Sequence, residues 1–171
     1  MTDIFLQGPI EEKIACAQDY YKMFRHKLLS DRGIVELSGT LKKAIFESHK
    51  EMIKTGITDI CRECELNEGG SCCGKGLENR YDGWILIVNL LLGVKLPEKR
   101  YDSKGCFFLG EIGCRLLARQ VICVNYICRK ILDRFEPRRF NALREREGEE
   151  LNTLFFLHER IKTVLRGALP L

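Results

Sequence analysis

Nine cysteines stand in the chain, and all but Cys16 fall between Cys61 and Cys128. Sulfur holds zinc or iron as the thiolate, so such a density of thiols in one stretch points to metal ligation. Cys61-Arg62-Glu63-Cys64 is a CxxC step, whose two sulfurs can reach one ion. Cys72-Cys73 follows, with glycines at 69, 70, 74 and 76 around it. Adjacent side chains diverge on any regular backbone. One of this pair therefore ligates, while the other serves a second centre, a bridge or a packed position. The glycines let the chain wrap closely and turn amide N–H groups toward sulfur. Cys106, Cys114, Cys123 and Cys128 complete the set. Residues five apart on an unbroken helix lie about 140° around its axis from one another. Cys123 and Cys128 then share a site only if the helix is interrupted between them, and otherwise belong to different ligand sets.

The competing readings of the cysteines are a disulfide framework and a set of inert core thiols. A reducing compartment disfavours the first, and the clustering disfavours the second. His26, His49 and His158 all lie outside the cysteine stretch, so the expected ligands are sulfur alone. His158 falls on an apolar stripe and reads as a core histidine. A zinc ribbon usually supplies two CxxC knuckles and this chain has one, so the irregular spacing favours an iron–sulfur cluster over Zn2+ by a small margin. One cluster with spare thiols and two four-cysteine sites both fit. Arg119, between ligand pairs, is placed to offset thiolate charge, with an exposed helix position as its alternative. No phosphate-binding loop, HExxH or G-x-S-x-G turn is present, and Cys16 reads as a packing residue.

The order of these motifs resembles the YkgJ-type family, whose shared region is the CxxCxxCC zinc- or iron-chelating domain. The matching features are Cys61-x2-Cys64, Cys72-Cys73, Gly105-Cys106-Phe107-Phe108-Leu109 to Gly113-Cys114, and Arg119-Gln120 before Cys123 and Cys128. They span about residues 57–130. Departures are seven residues between Cys64 and Cys72, Phe107 and Gln120 where the family has proline, Leu117 where it has tyrosine, and a step to Cys123 one residue short. They bear on the loops more than on the ligands. The resemblance implies that all eight cysteines are metal ligands. It also implies three roles: a metal-binding protein with an iron–sulfur cluster or zinc, a structural zinc module for protein interaction, or a cluster-dependent enzyme related to flagellin lysine N-methylases.

The elements that must position these residues are helical. Ile10, Ile14, Ala17, Tyr21, Phe24 and Leu28 recur at helical spacing, with Pro9 suited to the first turn and Gly33 just past the end. Leu41, Ala44, Ile45, Ser48 and Met52 mark a second helix stopped by Gly56. Asp82 is placed to cap a short helix from Trp84 to Leu92 closed by Gly93, although Ile85-Leu86-Ile87-Val88 also suits a buried strand. The segment from Cys106 to Leu116, turning at Gly110-Glu111-Ile112-Gly113, predicts a hairpin that brings Cys106 and Cys114 together. From Pro137 a last helix carries Leu151, Leu154, Phe155, His158, Ile161 and Leu165. The charged run 144–150 upstream reads as a solvated face.

The expected architecture is mainly α: a small helical bundle with an irregular cysteine-rich metal-binding insert containing a short β-hairpin. Its zones are a helical 1–56, a metal-binding 57–130 and a C-terminal helix 137–168 within one domain, 1–171. Apolar content of 45% and charged content of 30% suit a globular chain. No apolar run approaches the roughly 20 residues of a membrane span. With no signal-peptide pattern at its start, the expected compartment is the cytoplasm. The net charge of +4 weakly suggests an anionic partner. Two tetrathiolate zinc sites would contribute about −4 and cancel it, so nucleic acid is disfavoured as a partner. Metal ions are the expected partners, and a protein partner is compatible.

Overall fold

A computed structural model of the protein describes residues 7–67, 72–135 and 138–166. It is mainly helical, with one two-stranded antiparallel sheet. Helix α1 (Ile10–Ser30) begins after Pro9, whose carbonyl accepts from the Lys13 amide at 3.1 Å, and carries Glu11 and Glu12 in its first turn, where the helix dipole favours acids. It ends at Asp31. Gly33 does not terminate it as expected, because α2 (Arg32–Lys54) has already begun, capped by the Asp31 carboxylate on the Ile34 amide at 3.0 Å. The same carboxylate takes Arg160 from the last helix at 2.6 Å, clamping the corner. A Cβ at position 33 would meet Asp31 Oδ1 at 3.3 Å and Arg160 Nε at 3.4 Å, so glycine leaves room for the clamp.

Gly56, at φ 77°, stops α2 as expected, and the chain re-enters helix at once as α3 (Ile57–Asn67). The sequence suggested only a CxxC turn there. The Trp84 run is a helix and not a strand. Asp82 Oδ1 accepts from the Ile85 amide at 2.9 Å, and the helix, α4 (Gly83–Leu91), is followed by Gly93 at φ 88°. Gly83 through Asn89 are all buried, which explains why the run shows no helical stripe: this helix is covered on every side. The hairpin is present as β1 (Leu109–Gly110) and β2 (Gly113–Cys114), with Leu109 opposite Cys114. Two short helices follow, α5 (Val121–Asn125) and α6 (Arg129–Leu132), then α7 (Arg139–Arg166). The expected start of α7 at residue 137 and its end at 168 lie outside the described residues.

Helices α2 and α7 form the most extensive pairing, and α1 packs on α4. Their shared core includes Leu28, Leu41, Leu86, Leu157 and Ile161. In α7 Leu154, Ile161 and Leu165 of the expected stripe are buried, but Leu157 is sealed in the core while Phe155 is 59% exposed. The charged run is not wholly solvated either, because Glu147 and Glu150 are buried. A second, smaller core joins Ile57, Ile60, Ile131, Phe140 and Leu143. No helix among the described residues is long and apolar enough to cross a membrane.

Candidate metal centre

The cysteines arrive from five segments. Cys61 and Cys64 lie one helical turn apart on α3, so they share a face. Cys73 leads into Gly74, which bridges Gly105 in antiparallel fashion. The bridge is flanked by Cys106 N–H donating to the Cys73 carbonyl at 2.6 Å and Lys75 N–H donating to the Lys104 carbonyl at 2.8 Å. This short ladder sets Cys73 beside Cys106, and the hairpin returns Cys114. Cys123 is on α5 and Cys128 precedes α6, with residues 126–128 non-helical between the two helices. The helix is thus interrupted between Cys123 and Cys128, which leaves both a shared site and separate ligand sets open to them.

Cys73 is the hub. Its charge pushes up the thiols of Cys61, Cys72, Cys106, Cys114 and Cys123. For Cys72 its hydrogen bond is the largest cause; for the other four, burial comes first and like charge adds to it. Cys106 is pushed up to about 11. The remaining neighbours divide the set four and four. Cys61 feels Cys128 and Cys64, and Cys72 feels Cys61 and Cys128. Cys106 feels Cys114, and Cys114 feels Cys123. Burial follows the same division: Cys61 and Cys128 pack on the small core, whereas Cys73, Cys106 and Cys123 belong to or border the main one. The adjacent pair Cys72-Cys73 straddles the boundary.

Counter-charge also reaches the sulfurs. The Phe108 amide donates to Cys106 and the Leu116 amide to Cys114, each from two residues downstream, and both favour the thiolate. The sequence assigned this role to glycines. Arg119 lowers Cys114 and Cys123, which agrees with its expected position beside the thiols, and its side chain is only 12% exposed. The Tyr81 hydroxyl donates to Cys123 Sγ at 3.5 Å. All nine cysteines are thiols, and none is joined in a disulfide. Among the described residues no three His, Cys, Asp or Glu side chains form a metal-holding group. The thiols are neighbours rather than a closed ligand shell. His158 faces Asp82 at 3.6 Å, and Cys16 packs against the main core, both away from this set.

The residues that hold the site were largely missed by sequence reasoning. Asn89, fully buried, donates to the Ile85 and Ala118 carbonyls and accepts from the Leu117 and Ala118 amides, all within 2.9–3.0 Å. It ties the irregular segment after Cys114 to α4. Glu78, 3% exposed, accepts from the Gly76 amide at 2.9 Å, pairs with Arg100 at 2.5 Å and caps the Phe107 amide. Arg100 in turn donates to the Gly105 carbonyl and lies over the Phe107 ring. Lys13, 2% exposed, reaches from α1 to the Tyr81 carbonyl at 3.0 Å. One signal was available for each of two residues: Asn89 is the sole polar residue in an apolar run, and Lys13 shares the stripe of Ile10, Ile14 and Ala17.

Compared with protein-family models, with curated proteins and with solved structures, the chain finds no match in any of the three.

Proposed function

We propose that this protein binds metal through two neighbouring four-thiolate centres, one from Cys61, Cys64, Cys72 and Cys128, the other from Cys73, Cys106, Cys114 and Cys123. The observation that carries this reading is that Cys73 acts on Cys61, Cys72, Cys106, Cys114 and Cys123, while Cys64 and Cys128 neighbour Cys61, so that thiols from five segments lie near one another. Crowded thiols repel one another on ionising, and burial with like charge pushes up Cys61, Cys106, Cys114 and Cys123, so without a cation these have no cause to close on their neighbours. A bound cation reverses the balance by stabilising every thiolate at once. The amides of Phe108 and Leu116 and the guanidinium of Arg119 already favour the ionised sulfurs.

The ligands are all sulfur, and the metal is iron in an iron–sulfur cluster or Zn2+. Irregular ligand spacing favours the cluster, and the cysteine order agrees with a YkgJ-type chelating domain. Thiols in this number, without disulfides, fit a reducing compartment such as the cytoplasm. Elemental analysis and optical spectroscopy on protein purified without oxygen test the reading. Iron with sulfide and a band bleached by dithionite identifies the cluster, and stoichiometric zinc in colourless protein identifies the ion. Metal-free protein with eight alkylatable thiols refutes both. Cys72→Ser and Cys73→Ser are expected to remove different halves of the bound metal; loss of all metal from both variants would mean one centre, not two.

A further inference from the structure

Outside the thiol set, a few buried polar groups among the described residues have no hydrogen-bond partner, and one of them is the guanidinium of Arg119. Arg119 makes its nearest acidic contact at 4.0 Å, to Glu150 Oε1, and its Nε has no hydrogen-bond partner. A guanidinium carries five donors in a rigid fork, and one so nearly buried is expected to find acceptors for them. Arg119 also lines a cleft of about 300 Å³ between α4, the start of α5 and α7. Ile85, Leu151, Leu154 and Phe155 give the cleft apolar walls, and its other polar groups are Gln120 and the Asp82–His158 pair. Asp82 is already engaged, with Oδ1 on the Ile85 amide and Oδ2 at 3.6 Å from His158, and the Gln120 amide donates to the Arg80 carbonyl. Arg119 is thus the group in this cleft with donor capacity to spare. An apolar pocket with a few oriented polar groups is the usual form of a small-molecule site.

We infer that this cleft binds a small carboxylic acid with an apolar body, its carboxylate received by the guanidinium of Arg119. Carboxylate geometry matches the two-pronged fork of arginine, and the apolar walls take the rest of the molecule. Glu150 Oε1 lies at 4.0 Å, beyond hydrogen-bond distance, and burial pushes its carboxyl up, which weakens its hold on the guanidinium. The charge of Arg119 acts on Cys114 and Cys123 as well, so an acid bound here would lie within electrostatic reach of the thiols. The inference stands whether or not those thiols hold metal.

Titration of the full chain with 3-phenylpropionate, followed by calorimetry and by amide chemical shifts, tests it. The expected result is saturable binding with Kd below about 1 mM. Shifts should centre on Arg119, Gln120 and Leu154. The uncharged 3-phenylpropionamide should bind about tenfold more weakly or worse, and R119Q should lose the acid to the same degree, as expected for a charge-assisted bond. Val121→Trp, which fills the mouth of the cleft from an exposed position, should abolish both. If R119Q fails to fold by circular dichroism, the acid–amide comparison and the Val121 variant decide. Equal affinity for acid and amide, undiminished binding to folded R119Q, or no saturation by about 10 mM would overturn the inference.

Discussion

In the bundle, Leu28, Leu41, Leu86, Leu157 and Ile161 are sealed from solvent between long helices, and α7 alone runs 28 residues. Around the thiols, by contrast, the helices shrink to five and four residues, the strands to two, and single polar side chains do the tying. Asn89, Glu78 with Arg100, and Lys13 each satisfy several backbone groups that regular structure leaves open. Apolar burial sums over many residues and tolerates the loss of one. A hydrogen-bond tie is a single point whose removal strands several partners. The bundle is therefore a scaffold stable in its own right, and the thiol region depends on local pins and on whatever its sulfurs bind.

Metal removal separates the two regions most sharply. A structural zinc contributes roughly 10–16 kcal/mol in small modules, and its loss here should fall on the short elements that carry the thiols. After chelation, amide exchange is expected to accelerate across residues 73–76 and 105–118 while α2, α4 and α7 keep their protection. Uniform loss of protection would mean that the two regions form one cooperative unit.

Leu157→Ala attacks the other side. A fully buried leucine in the main core should cost about 2–5 kcal/mol, read as a lower urea midpoint, with metal content per folded molecule unchanged. Metal loss at native conditions would contradict the division. Asn89→Leu is next in size: it keeps the volume but leaves the Leu117 and Ala118 amides and the Ala118 carbonyl unpaired, at roughly 1–3 kcal/mol for each group left unsatisfied. Faster alkylation of Cys114 in the metal-free protein should accompany it. An unchanged alkylation rate would show that Asn89 does not hold this segment.

The smallest effect is a pH dependence. Burial, and then the charge of Arg119, pulls His49 down to about 4 from an ordinary 6.5. Between those two values the unfolded chain takes up a proton that the folded protein refuses, so the contribution of His49 falls as pH falls through this window. Buried Glu147 and Glu150 act with opposite sign, because their carboxyls are pushed up, by burial first. The difference between wild type and His49→Gln isolates the histidine. It should be flat above pH 6.5 and should favour the variant increasingly toward pH 4. A difference that does not change with pH would refute this.

Legibility in the sequence followed the same divide. Apolar spacing marked α1 and α2, Gly56 marked a stop, and Asp82 and Gly93 bracketed α4, since these signals are local and repeat with the helix. Single-residue errors arose where a tertiary partner overrode the local signal: Gly33 serves the Asp31–Arg160 clamp instead of ending a helix, and Phe155 yields the core to Leu157. For the thiols, the hairpin was readable from turn chemistry, whereas helical geometry left open whether the helix breaks between Cys123 and Cys128, as it does. The proposed division into two sets was not readable, because it rests on which core each segment packs against. The pins were hidden for a related reason. Glu78 and Arg100 lie 22 residues apart, and Arg100 looks like any surface arginine until the fold closes around it.

The most direct measurement is X-ray absorption at the metal edge of protein purified without oxygen. An all-sulfur ligand set at about 2.3 Å is predicted, and it should survive substitution of each of the three histidines. A shell containing nitrogen or oxygen, or no bound metal at all, would contradict the assignment of these eight cysteines.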